Sequence, residues 1–267
     1  MNRTIRKIGG LLMVMSFLAI STSCVLAKRI KASGNYITKE INVSDFDAIK
    51  LMGSEDVYYT QIPNGKTSVK ILASDNIIDL YNIRVENGTL LISRENNVSI
   101  FGLGNRGTVK IFVSSPRLKD VSLMGSGDVF LKTAIKADRF NANIMGSGDI
   151  KGSGIFSKEL SARVQGSGDL KLDNIKSETV EASILGSGDV TLSGESNSAQ
   201  LETTGSGDLN ASNLKSLDVI AETKGSGDVS CFAVNHLKAK ILGSGDVSYK
   251  GKPSIDFQDN RKLHRID

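Results

Sequence analysis

The sequence Gly-Ser-Gly-Asp followed by an aliphatic residue begins at Gly125, Gly146, Gly166, Gly186, Gly205, Gly225 and Gly243, at intervals of 21, 20, 20, 19, 20 and 18 residues. A fixed period of this length marks a chain built from stacked supersecondary units. Aligned on the first glycine, the flanking residues fall into columns. Four residues after it stand Val129, Ile150, Leu170, Val190, Leu209, Val229 and Val247. Two before it stand Leu123, Ile144, Val164, Ile184, Thr203, Thr223 and Ile241, and four before it are Ala142, Ala162, Ala182, Ala221 and Ala239 in five of the seven copies. Six before it, the last six copies have Phe140, Leu160, Val180, Ala199, Val219 and Leu237.

That alternation is the period-2 signature of a strand with one buried face. A second short strand after the turn buries its fourth and often its sixth position. A third apolar site lies nine or ten residues on, at Ile135, Ile155, Ile175, Leu214 and Val234. The fourth repeat has Glu195 there, within polar residues 193–198, and a bulge is expected in that coil. A rung of this kind cannot bury its apolar face alone, so neighbours must stack. The fold class read from the sequence is therefore all-β: a parallel β-helix-like solenoid of GSGD rungs over residues 118–250. Seven rungs at roughly 4.8 Å each make a rod about 34 Å long. Aromatic residues make up only 5% of the chain and Trp is absent, as a thin core of small aliphatic side chains requires.

Residues 36–117 are strand-like without the strict period. Gly53-Ser54-Glu55-Asp56-Val57 is a degenerate copy, flanked by Ile49, Leu51, Val57 and Tyr59 in the expected columns, and reads as a first rung. Residues 57–60 and 68–72 flank Pro63-Asn64-Gly65, and 83–85 and 90–92 flank Asn87-Gly88. Asn-Gly between strands signals a hairpin. A short helical turn is expected within 74–81, with the remainder of 61–115 capping the rod. Residues 251–267 read as a charged loose tail or cap.

The chain opens like an exported protein. Arg3, Arg6 and Lys7 precede an apolar run at residues 11–20, too short to span a bilayer. Residues 1–23 read as a cleaved signal and 24–35 as a linker. Ser21-Thr22-Ser23-Cys24 resembles a relaxed lipobox, with Cys24 the lipidated residue and the membrane a partner through its acyl chains. Val25-Leu26-Ala27 is the competing site, which releases a soluble protein. Without the signal, 30 basic and 29 acidic residues remain, a net charge of +1 with no dense basic run. Nucleic acid is therefore not an expected partner. Cys24 and Cys231 are the only cysteines, so no disulfide framework is expected.

The export signal, the segment FDAIKLMGSEDVYYTQ, the segment NGTLLIS and the serial GSGDV turns together resemble the auto-transporter adhesin family with the head GIN domain, common in Bacteroidetes. The resemblance runs from residue 34 to 251. It implies an envelope location, a β-helix-like fold and an adhesin role, and brings no catalytic residues. The chain departs from the pattern at Glu55, which replaces the second glycine of the turn.

Candidate chemistry is sparse. Asp128, Asp149, Asp169, Asp189, Asp208, Asp228 and Asp246 should form a ladder whose neighbours repel by roughly 0.9 kcal/mol in water. Either each carboxylate accepts N–H bonds in its own turn, or cations lie between them. Calcium β-rolls use a nine-residue pattern occurring twice per coil; here Asp recurs once per rung, so the turn role is preferred and no metal site is assigned. No helix follows the glycines to bind phosphate, and no nucleophile elbow accompanies His236 or His264. Cys231 falls in the buried sixth column with Leu131, Leu172 and Leu192. Tyr58, Tyr59 and Tyr81 are candidates to stack on sugars, against the alternative of cap packing. The leading reading is a non-catalytic cell-envelope protein, an adhesin or an extended binding or scaffold module contacting surface glycan or protein. It needs no cofactor. The alternative is a β-helical polysaccharide-active lyase or hydrolase, whose active site would have to break the repeat.

Overall fold

A computed structural model describes residues 28–103, 109–257 and 262–267. It is the all-β solenoid the repeat predicts. In the central coils the chain pairs almost continuously around its circuit: Ile150–Gly166, Leu170–Gly186, Val190–Gly205 and Leu209–Gly225 are each interrupted only by the remainder of the turn. All pair in parallel with their neighbours, column on column: Ile150 with Leu170, Ala162 with Ala182, Val164 with Ile184. The aliphatic column four residues after the first glycine is wholly inside, from Val129 to Val247. Thr203 and Thr223 enter the interior because each hydroxyl donates to a carbonyl of its own turn, Gly207 at 2.8 Å and Gly227 at 2.6 Å.

The coil containing Glu195 is irregular, as expected. Gly194 takes the place between Ile175 and Leu214, with φ of +134°, and Glu195 points outward. Val234 departs from its expected place. Its own coil, from Gly225 to Gly243, is two residues shorter than the one before, so Ala233 pairs with Ser216 and turns inward, leaving Val234 half-buried.

The base of the rod does not follow chain order. Ala48–Leu51 lies directly beneath Asp120–Leu123, and Asp56–Gln61 beneath Val129–Leu131, so the Gly53 turn is a true rung. A later segment, however, forms the layer under it: Thr89–Arg94 pairs in parallel with Ala48–Leu51, and Lys110–Ser115 with Asp56–Gln61. The hairpin at Asn87-Gly88 forms, with φ of +49° and +74°. The one at Asn64-Gly65 does not. Lys110–Ser115 inserts between Asp56–Gln61 and Ser68–Ser74, pairing antiparallel with the latter, and residues 62–67 become a longer crossover. A 3₁₀ turn at Ile78–Leu80 buries Ile77 and Ile78 under this end. Lys28–Lys31, within the expected linker, pairs in parallel with Val98–Phe101.

At the other end the charged segment folds back onto the rod instead of hanging loose. Ser254–Asp256 pairs with residues 236–238, and Leu263–Arg265 with 247–249.

Candidate binding surface

The GSGD turns stack into one ridge, and its construction explains each residue. The first glycine carbonyl of every turn but the last accepts two bonds from the rung above. Gly166 O, for example, takes Ser187 N–H at 2.9 Å and Gly188 N–H at 3.0 Å. The spacing this imposes leaves no room for side chains: a Cβ on Gly148, Gly168, Gly188, Gly207, Gly227 or Gly245 would meet the carbonyl oxygen of the rung below at 1.9–2.1 Å.

The aspartates form the expected ladder with a different connection. Each carboxylate accepts the N–H of the next rung's aspartate: Asp149 N–H to Asp128 Oδ1 at 3.0 Å, then Asp169 to Asp149, Asp189 to Asp169, Asp208 to Asp189, Asp228 to Asp208 and Asp246 to Asp228, all at 2.8–3.0 Å. The acceptor therefore serves the rung above and not its own turn. Charge-assisted bonds of this kind offset the mutual repulsion, and the outward positions of Asp169, Asp189, Asp208 and Asp228 leave it screened by water. Burial would raise the Asp149 pKa, but the Lys151 ammonium at 2.8 Å and the Asp169 N–H hold it below the usual carboxylate value.

Both ends of the ridge are closed by side chains. At the bottom, among the described residues, no glycine turn lies beneath Ser54 and Glu55, so the steric reason for a second glycine disappears. Glu55 curls under its own turn, buried, with its carboxylate facing the N–H groups of Ser54 and Glu55. It takes the place of the missing carbonyl. Burial raises its pKa, while those N–H groups and the Arg94 charge pull it down, and no hydrogen bond of good geometry reaches either oxygen. At the top, Lys262 Nζ donates to Gly243 O at 2.7 Å, and His264 Nε2 stands 3.8 Å from Asp246 Oδ2.

The tyrosines separate. Tyr59 is completely buried, its hydroxyl 2.9 Å from Ser115 Oγ and its pKa pushed up to about 12 by burial; it is a core residue and presents nothing to a ligand. Tyr81 is half-buried beside Glu55 and Arg94, its pKa also raised to about 12, first by burial. Tyr58 alone joins an outward ladder, between Phe112 and Phe130 at centroid distances of 5.5 and 5.0 Å. Those rings turn their faces to one another, so edges meet the solvent. Lys110 Nζ lies 5.8 Å from the Tyr58 centroid.

Cys231 is buried and burial pushes its thiol up to about 12, as a small core residue. His236 is exposed and bonds Ser254 Oγ at 2.5 Å. Cys24 lies outside the described residues. No group of three or more His, Cys, Asp or Glu suited to a metal occurs among the described residues. A serine file, half-buried at Ser157 and buried from Ser177 to Ser216, went unread in the sequence. Ser157, Ser177, Ser196 and Ser216 each stand nine residues before a turn, and the hydroxyls pair at 3.1 Å (Ser157 with Ser177) and 2.7 Å (Ser196 with Ser216). Across the outer face, Arg139–Glu159, Arg163–Glu181 and the chain Glu202–Lys224–Glu222–Lys240 link successive rungs.

A straight parallel solenoid with one unbroken polar ridge belongs to the class of extended, surface-presenting repeat proteins. The chain belongs to the family described as "putative auto-transporter adhesin, head GIN domain", whose pattern matches residues 45–173 and again 153–253. Solved structures share its fold, three of them as follows. One, described as a putative lipid binding protein of Parabacteroides distasonis, is 28% identical over 90% of this chain and 100% of that one, with a TM-score of 0.82. A putative adhesin of Bacteroides fragilis is 28% identical over 88% and 95% of the two chains, with a TM-score of 0.64. A putative adhesin of Parabacteroides merdae is 24% identical over 90% and 100%, with a TM-score of 0.82. No curated protein matches the chain.

Proposed function

We propose that this protein is a non-catalytic adhesin or scaffold rod of the bacterial envelope, contacting glycan or protein along its outer faces. Membership of an adhesin family is the observation that carries the reading, and it goes with an exported or surface location. The regular ridge supports it: six consecutive aspartate bonds repeat one geometry, whereas catalysis needs unlike residues at one place. Cys24, directly after the apolar segment, is the proposed lipid anchor, tying the rod to the outer membrane. A glycan array and an envelope pulldown with the mature protein test the binding role. Depolymerisation of any captured polysaccharide would replace it with the enzymatic alternative. Fatty-acid labelling that marks the wild type and fails on Cys24→Ala tests the anchor.

One observation favours a second reading, an amphiphile carrier. A cavity of about 530 Å³ at the C-terminal end is lined by Ile241, Leu242 and Phe257 together with Lys238, Lys240, Lys262 and the Asp256 carboxylate. Apolar side chains beside a net positive lining fit an acyl chain with an anionic head, although Lys240 is already paired with Glu222 and Lys262 with Gly243 O. A relative carries a putative lipid-binding description. Native mass spectrometry of protein purified from membranes would show a retained acyl lipid in that case.

A further inference from the structure

We propose that Met52, Met124 and Met145 form a thioether site for copper(I) on the outer surface beside the turn ridge. The chain has six methionines, and Met1, Met13 and Met15 belong to the export signal. The other three occupy one column on three consecutive rungs, each immediately before the first glycine of its turn. The pairing fixes that placement: Met124 N–H donates to Leu51 O and Met145 N–H to Leu123 O, both at 2.7 Å. Their neighbours Leu51, Leu123 and Ile144 are fully buried, while the methionines are 36, 37 and 41% exposed.

Methionine ordinarily fills irregular gaps in cores. Here no interior position uses it, and every methionine beyond the signal is outside. The column itself does not demand it, since the higher rungs have Gln165, Leu185, Thr204, Lys224 and Leu242 there. Thioether appears only where three sulfurs can gather.

A thioether is a neutral, soft donor, and soft sulfur ligands select copper(I). Calcium and magnesium require oxygen. Rungs are spaced by about 4.8 Å. Metal–sulfur bonds of about 2.3 Å in a three-coordinate plane put the sulfurs about 4 Å apart. The middle sulfur, on Met124, is thus already central, and the three rotatable bonds of each outer side chain let it lean inward. The column continues into Ser93 below and Gln165 above, neither charged. Copper binds in the oxidation state in which it arrives, with no redox step.

The test uses silver(I), a redox-inert stand-in, titrated into mature protein carrying ¹³C-methyl methionine with Cys24→Ser and Cys231→Ala, so that no thiol competes. The three methyl resonances should shift together and saturate at one equivalent, with calcium and magnesium inert. Met124→Leu should weaken binding at least about tenfold more than Met52→Leu or Met145→Leu, because it leaves two sulfurs on rungs about 9.6 Å apart. A triple Leu variant should melt as the wild type does and lose the site. Equal losses from the three single variants, shifts continuing past one equivalent, or tight binding retained by the triple variant would each overturn the assignment.

Discussion

Replacing Gly188 by Ala is the sharpest test of how the ridge is held together. The added Cβ would stand 2.1 Å from Gly168 O, where ordinary contacts begin at 3.4 Å. The obstacle is backbone of the next rung, so no side chain can swing aside, and the two turns must separate by about 1.3 Å on the ordinary-contact figure. That opening stretches three bonds at once: Ser187 N–H and Gly188 N–H to Gly166 O, and Asp189 N–H to Asp169 Oδ1. At about 1 kcal/mol for each neutral bond and 1.5–3 for the charged one, the loss is about 3.5–5 kcal/mol. This is a large share of the 5–15 kcal/mol typical of a domain. Because stability in a stacked array is a sum of nearest-neighbour terms, the break should also divide the unfolding transition into two. Urea denaturation followed by circular dichroism measures both effects. Ser187→Ala, on the exposed tip of the same turn, should stay within about 0.5 kcal/mol of wild type. If Gly188→Ala also falls within about 1 kcal/mol and unfolds in one transition, rung-to-rung contact is not what requires the glycine.

The ladder makes a paired prediction. Asp189→Asn keeps an acceptor for Asp208 N–H and should be near neutral, whereas Asp189→Ala should cost about 1–3 kcal/mol; in either case a chelator should leave Tm unchanged, and a Tm rising with calcium but not magnesium would restore the metal. Glu55 has a raised folded-state pKa, so the folded protein binds more protons above pH 4.5 and its ionisation removes stability as pH climbs through that range. Glu55→Gln should therefore match the wild type below pH 4, exceed it at pH 7 in thermal melts, and fail to do so only if the carboxylate is well solvated or well bonded. In the core, Leu170→Asp should cost several kcal/mol by burying an unpaired charge, while Lys171→Asp on the outer side should change stability by about 0.5 kcal/mol or less; equal tolerance would show that the columns are assigned wrongly.

The columns were legible because each rung repeats the same alternation, so chance patterns at Val190 or Ala182 are averaged away by their neighbours. The base was not, because Thr89–Arg94 and Lys110–Ser115 carry strand patterns without a turn motif to reveal their rung. The Asn64-Gly65 signal is local, and the strand that separates its arms comes from some fifty residues later, beyond the reach of turn chemistry. Tyr59 alternates with Tyr58 and so faces the core, which the period-2 rule already implied. The direction of the aspartate bond was hidden for another reason. A carboxylate two bonds from its backbone reaches its own turn or the next with equal ease, and only the rung spacing decides between them.

Glu55 and Lys262 close the two ends of the ridge, and this frees the number of coils between them. An in-frame duplication of one 20-residue unit, about sixty nucleotides of coding sequence at three per residue, would insert a coil that meets the same partners above and below. The rod would lengthen by about 4.8 Å with neither terminus redesigned. An insertion of a few residues would instead throw the glycines out of line with the carbonyls beneath. The length of the rod is therefore a quantity that inheritance can change in whole steps, by gain or loss of single repeats, while the ends stay constant.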